Sequence, residues 1–291
     1  MSSPKPTRRR RTVLGISTLV VTALTLSGCA TGVENGALPS TPEITNQTGR
    51  IIDLWNHSWI ALLIVGAITW SLMLWSVVVY RKRKDDDRLP VQTRANIPLE
   101  LMYTAVPFIM IAVLFRWTVT DIAEIKDVSA EPDVTIQMIG KQWAWDINYV
   151  DDNVYSAGVQ ATLTGKEGVE ETLPTLYLPV DERVEFIIDS RDVVHSFWVP
   201  AFLYKQDMIP GHTNVFQIIP TKEGTYQGKC AELCGEYHSA MLFNVKVVDR
   251  EEYDAYVQSL RDAGFEGQLG LDYSRQQDLK TSVTTEGEDH S

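Results

Sequence analysis

Cysteine is nearly absent: there are three among 291 residues, too few for the disulfide framework that staples a small exported domain. Internal repeats are missing too, which excludes solenoids and propellers. Glycine (18) and proline (13) stand at ordinary levels, so the chain is neither collagen-like nor of low complexity. Positive charge runs short in the second part. From 121 to 291 there are 31 acidic and 13 basic side chains, a formal charge of about −18. So negative a surface repels nucleic acid and attracts a basic partner, although solubility alone would ask for the same excess.

Charge of either sign is absent from 59–80, "WIALLIVGAITWSLMLWSVVVY". At ~1.5 Å per residue these residues reach about 33 Å, enough to cross a hydrocarbon core of roughly 30 Å. Tryptophans near the start and a tyrosine at the end suit the two interfaces. "RKRKDDDR" follows directly, then a second apolar stretch over 97–120. Arg81 to Lys84, with Arg88 and Arg94, keep this turn cytoplasmic under the positive-inside rule. The pattern predicts a transmembrane hairpin over 51–120, with helices at about 55–80 and 97–119 and a cytoplasmic loop at 81–96. The second helix carries Pro107, which should kink it. Arg116 near its outer end can snorkel. Glu100, near its inner end, can sit among headgroups or mark the mouth of a proton pathway.

The first 28 residues read as an export signal, with a basic start at Arg8 to Arg11 and an uncharged, largely apolar stretch at 13–26. "LSGC" ends it and resembles the lipobox of bacterial lipoproteins, which implies cleavage before Cys29 and lipidation of that residue. The linker 29–50 would then be exported. Both signals put the termini of the mature chain outside the cytoplasm, on a bacterial cell membrane.

From 133 onward short runs rich in β-branched residues alternate with turn residues: "VTIQMIG", "RVEFIIDS", "TNVFQIIP" and "MLFNVKVV". Bounded by Pro, Gly or Asp, they predict the strands of a β-sandwich over 121–249. Asp249 with Glu252 reads as a capped helix start, followed by an apolar face of Tyr253, Tyr256, Val257 and Leu260. The rest, 265–291, reads as a loose polar tail, and 151–172 as a long acidic loop.

The remaining two cysteines stand in "CAELCGEYHSAM", 230–241. Cys230, Cys234 and His238 fall four residues apart in one loop, with Met241 three further on, and "VVHSFWVP" supplies His195 after an earlier strand. A Cys230–Cys234 disulfide is chemically available outside the cytoplasm but leaves the histidines and Met241 unexplained. A Cys2His2 zinc site fits four of the groups and has no use for Met241. Thiolate, thioether and imidazole together favour copper. One cysteine exceeds the need of a mononuclear blue-copper site. Two thiolates bridging two metals, with one histidine on each, use every group.

These residues resemble subunit II of the heme-copper cytochrome c oxidases, whose motif C-x-E-x-C-x3-H-x2-M they match. The likeness runs from the membrane hairpin to about Asp249. It implies a two-helix transmembrane hairpin followed by an all-β, cupredoxin-like Greek-key sandwich. It further implies that Cys230 and Cys234 bridge two copper ions of a CuA centre, that His195 and His238 are terminal ligands, and that Met241 and the Glu232 carbonyl bind weakly. The Glu232 side chain would help hold a magnesium ion shared with subunit I, near which "DMIPGH" (207–212) would also lie. "GKQWAWDINY" resembles the family's aromatic segment and makes Trp143 the residue through which electrons enter, leaving Trp145 to the core. Ala144 stands where the family commonly has tyrosine. "LELMYTAVP" places Glu100 at a proton-pathway mouth. The implied role is electron uptake from cytochrome c, or a cytochrome c domain, for oxygen reduction at heme in subunit I. The long loop 151–172 would contact the donor. The rival readings are a quinol oxidase subunit, which lacks these ligands, a soluble nitrous oxide reductase, which lacks the hairpin, and a membrane-tethered copper-binding assembly protein.

Overall fold

The uncharged stretches form the middles of two longer helices. Helix α1 spans Thr48–Val79 and α2 spans Ile97–Ile125, and both are long and apolar enough to cross a membrane. Hydropathy marks the span rather than the helix, so α1 starts at Thr48 instead of near 55 and α2 runs to Ile125 instead of 119. The extra turns are polar and tied by an Arg50–Asp121 ion pair at 2.9 Å. Asn96 caps α2, its side chain accepting from Leu99 N, and the Glu100 carboxylate accepts from Asn96 N at 2.9 Å. Pro107 lies inside α2.

The structure is a computed structural model describing residues 35–82, 89, 91–161, 163 and 173–271. The expected signal 1–28, Cys29, most of the basic turn, much of the acidic loop and the chain beyond 271 lie outside the described residues. Residues 35–38 belong to a separate unit, and residues 39–271 to the unit that holds both helices and the sandwich.

Ten strands follow among the described residues: β1 (Val134–Lys141), β2 (Ala144–Tyr149), β3 (Val154–Ser156), β4 (Thr175–Pro179), β5 (Val184–Ser190), β6 (His195–Val199), β7 (Tyr204–Met208), β8 (Asn214–Ile218), β9 (Gly224–Cys230) and β10 (Leu242–Val248). They form two five-stranded sheets, ordered β3-β2-β1-β5-β8 and β4-β10-β9-β6-β7. The pairs β1/β5 and β10/β4 are parallel and the others antiparallel. Period-2 alternation sends Ile136, Met138, Phe186 and Ile188 inward from one sheet to meet Phe197, Phe243 and Val245 from the other. Trp145, fully buried, packs on Phe243 with centroids 4.9 Å apart, so its place is the core. The expected hairpin-plus-sandwich architecture is the one observed.

Gln47 joins the hairpin to the sandwich: its Nε2 donates to the Ile125 carbonyl at 3.3 Å and the Gln217 carbonyl at 3.0 Å. Helix α3 (Arg250–Asp262) begins as expected, with Asp249 Oδ1 accepting Glu252 N at 2.8 Å and Tyr253, Val257 and Leu260 buried.

Two expectations need correction. The acidic loop 151–172 contains β3, which pairs with β2. The tail is not loose at its start. Phe265 and Leu269 are buried, Tyr155 N donates to the Phe265 carbonyl, and Asn148 Oδ1 accepts Leu269 N. Arg191 donates twice to the Gly270 carbonyl while also pairing with the buried Asp146, which Lys141 contacts from its other side. Two apolar anchors in a polar stretch were enough to dock it.

Candidate metal centre

Adjacent strands carry the candidate ligands to one end of the sandwich. Cys230 closes β9 and His195 opens β6, and the two strands pair with Phe197 opposite Cys230. The chain then loops through Cys234 and makes a single 3-10 turn, His238–Ala240. It returns at Met241, whose carbonyl accepts Cys230 N at 3.0 Å. Both ends of the loop are thus pinned to strands, which gives soft side chains a rigid frame.

The donors are linked by successive contacts. His195 Nδ1 lies 3.8 Å from Cys230 Sγ, Cys230 Sγ lies 3.9 Å from Cys234 Sγ, and Cys234 Sγ lies 3.6 Å from His238 Nδ1. Met241 Sδ stands 3.8 Å from Cys234 Sγ, and the Cys230 thiol donates to the Glu232 carbonyl at 3.2 Å. His195, Cys230, Cys234 and Met241 are buried, His238 is half-buried, and the Glu232 side chain is exposed. A sulfur separation of 3.9 Å is far beyond the ~2.05 Å of a disulfide. A single tetrahedral zinc would need all four donors about 3.3–3.8 Å apart. His195, Cys230 and Cys234 offer donors within 4.8 Å of one another, but His238 does not join that set. A single metal position therefore serves these three donors better than all four, and the soft donor set fits copper.

The electrostatics ask for a cation. Burial works against the Cys230 thiolate, but hydrogen bonds with His195 and the backbone at Glu232 and Ser196 bring the thiol below its ordinary value. Burial, then the Cys230 charge beside it, pushes Cys234 up to about 12. One thiolate is tolerated here; a second needs positive charge between them.

Several residues that the sequence reading passed over hold this arrangement. Asp192 Oδ1 lies 2.8 Å from His195 Nε2, which leaves Nδ1 free to ligate. Its Oδ2 accepts Gln142 N at 2.7 Å. A Cβ on Gly140 would stand 3.0 Å from the His195 ring, so the imidazole seats only on glycine. Gln142 and Trp143 form the tip of the β1–β2 hairpin and reach across from the other sheet: Gln142 Nε2 and Trp143 Nε1 both donate to the Cys234 carbonyl, at 2.7 and 3.3 Å. Trp143 meets Tyr237 edge-on at 5.0 Å. Gly235, at φ +127°, lies under the indole, where a Cβ would be 3.0 Å from Cζ2. An aspartate three residues before a ligand histidine was the one legible signal among these. Glu100 is not part of this centre: it lies on the first turn of α2, roughly 38 Å of helix from Ile125.

Comparison with known proteins places the chain in a family. The sequence model of "Cytochrome C oxidase subunit II, periplasmic domain" matches residues 134–248, from β1 to the end of β10. The probable cytochrome c oxidase subunit 2 of Streptomyces avermitilis is 40% identical over 92% of this chain and 91% of its own length. Cytochrome c oxidase subunit 2 of Mycobacterium tuberculosis is 35% identical over 88% of this chain and 84% of its own. Among solved structures, the periplasmic domain of subunit II of cytochrome oxidase from Bradyrhizobium japonicum is 30% identical. It covers 47% of this chain and 98% of its own, with a TM-score of 0.42. The chain belongs to the cytochrome c oxidase subunit II family.

Proposed function

We propose that this subunit accepts single electrons from a cytochrome c, or a cytochrome c domain, at two coppers and passes them to heme in subunit I. The observation that carries the reading is the cluster of four donors, two imidazoles and two thiols, in successive contact at 3.8, 3.9 and 3.6 Å. Cys230 and Cys234 would bridge the metals, His195 and His238 would bind one each, and Met241 and the Glu232 carbonyl would bind weakly. When bound, such a pair supplies a one-electron relay whose charge is shared between two metals.

The chain's own residues do the rest. Burial of both thiols and of His195 excludes water, and pinning to β6, β9 and β10 keeps the donors still as charge changes. Asp192 holds the proton on His195 Nε2. Trp143, bonded to the Cys234 carbonyl, offers the electron a path inward from the surface. The exposed Glu232 carboxylate supports a magnesium ion shared with subunit I, and Glu100 supports a proton pathway there. The hairpin would turn in the cytoplasm, with both mature termini outside. Copper delivery would need exchangeable ligands, and the burial of His195, Cys230, Cys234 and Met241 disfavours it.

Metal analysis of the purified oxidase tests the reading. Cys234→Ser should lower the copper attributable to this subunit and stop electron uptake; unchanged copper content would overturn it.

A further inference from the structure

After α3 the chain runs back along β3 and β2 as a strap, 265–270. The Phe265 carbonyl accepts Tyr155 N at 3.0 Å, and Gly267 N donates to the Asn153 carbonyl at 2.8 Å. The Asn148 side chain accepts Leu269 N and donates to the Leu269 carbonyl, each at 2.9 Å. The strap ends on Arg191, whose Nε and Nη2 both donate to the Gly270 carbonyl, at 3.0 and 2.8 Å. Two lines of polar groups lead from it to the turn 191–194, which joins β5 to β6. One is Arg191 itself. Only 4% of its side chain is exposed, its Nη1 pairs with the buried Asp146, and its backbone N donates to the Gly140 carbonyl at 3.0 Å. The other runs from Asn148 Nδ2 to Gln137 Oε1 at 2.9 Å, and from Gln137 Nε2 to Asp189 Oδ2 near the end of β5 at 2.8 Å. The turn crosses from one sheet to the other, so no strand ladder fixes it. Its neighbouring residues have opposite partners: Arg191 reaches the strap, whereas Asp192 holds His195 Nε2 and Gln142 N.

We propose that the strap positions the His195 imidazole. Gly270 and Leu269 fix the turn through Arg191 and Asn148, and the turn presents Asp192 to Nε2. A carboxylate meets an imidazole at 2.8 Å only from a backbone that is itself held. Without Gly270, two donors of a nearly buried guanidinium lose their acceptor and turn toward water, and the turn loses its anchor. Arg191 is thus a positioning residue that acts through Asp192. Gly140 ties the same parts together, since its carbonyl holds Arg191 N and its bare Cα seats the His195 ring. The inference rests on the copper reading for its metal, and on hydrogen bonds alone for its geometry.

The test compares purified oxidase carrying the full chain, a chain ending at Leu271 and a chain ending at Gly267. The second keeps the strap; the third loses Leu269 and Gly270 but keeps the buried Phe265. Hydrogen exchange of the Gln142 amide, which donates to Asp192, reads the turn with or without metal. It should quicken by about three- to tenfold in the chain ending at Gly267 and stay unchanged in the chain ending at Leu271. Copper should leave the shorter chain at about three- to tenfold lower chelator, a smaller effect than that of Asp192→Asn because the carboxylate remains. Arg191→Lys keeps a cation for Asp146 but not the fork that reaches Gly270, and should match the shorter chain. In the Asp192→Asn background the truncation should release no further copper, whereas general destabilisation would add in full. Unchanged Gln142 exchange in the chain ending at Gly267, full additivity, wild-type behaviour of Arg191→Lys, or equal loosening in the chain ending at Leu271 would overturn the proposal. Wild-type oxidase without copper at this centre would instead overturn the copper reading, and Gln142 exchange would still decide the role of the strap.

Discussion

Replacing Asp192 by asparagine should loosen the metal without unfolding the domain. Both carboxylate oxygens are in use. Oδ1 faces His195 Nε2 at 2.8 Å and accepts Val193 N at 2.7 Å, while Oδ2 accepts Gln142 N at 2.7 Å. All three partners are donors once Nε2 carries its proton. An amide therefore sets its own NH2 against a donor whichever way it turns, at a cost of about 1–3 kcal/mol for the group left unsatisfied. Loss of the charged partner behind a ligating histidine lowers metal affinity about 10–100-fold, or roughly 1.4–2.7 kcal/mol. The assay is copper retained by the purified oxidase against rising chelator. The Asp192→Asn enzyme should release copper at roughly 10–100-fold lower chelator concentration. Superimposable curves for wild type, Asp192→Asn and Asp192→Ala would refute the reasoning.

The pH dependence carries the same sign. Burial pushes the Asp192 carboxyl up, but hydrogen bonds from His195, Gln142 N and Val193 N outweigh it and leave it below its usual 3.8. Its contribution is therefore fully present above the unfolded value and lost as pH falls through the lower folded value. The Asp192→Asn variant should lose copper at a higher pH than wild type on acid titration.

Three further outcomes are expected. Gly235→Ala would bring a Cβ to 3.0 Å from Trp143 Cζ2 on a left-handed backbone; stopped-flow should find slower electron uptake, with a strain cost of about 1–3 kcal/mol and unchanged copper content. Asp146→Ala strands Lys141 and Arg191 as buried cations and should destabilise by about 3–5 kcal/mol in thermal unfolding, part of which Lys141→Met should recover. Glu100→Gln keeps an oxygen to accept Asn96 N, so α2 should start normally; steady-state turnover should nevertheless fall, and unchanged turnover would remove Glu100 from the proton pathway.

The candidate donors were legible because their residue types are rare and their spacing short. Two cysteines, a histidine and a methionine within twelve positions leave few bland explanations, and His195 followed from the need for one more nitrogen. The strands β1, β5, β8 and β10 announced themselves by apolar alternation. Short strands such as β3, and β7 with its polar "YKQDM", are made by pairing rather than by pattern, so no window of sequence marks them. The docking of Phe265 and Leu269 was hidden for a related reason: two apolar residues in a polar run signal nothing until a buried Arg191 and Asn148 meet the backbone beside them. Asp192, Gly140 and Gly235 act through contacts distant in sequence, or through the space a missing side chain leaves.

The most direct test is electron paramagnetic resonance of the oxidised enzyme, paired with copper counted per chain. Two coppers, with hyperfine structure from one electron shared equally by both nuclei, is the result the donor set predicts. A single copper with one-nucleus splitting, or zinc with a silent spectrum, would contradict it.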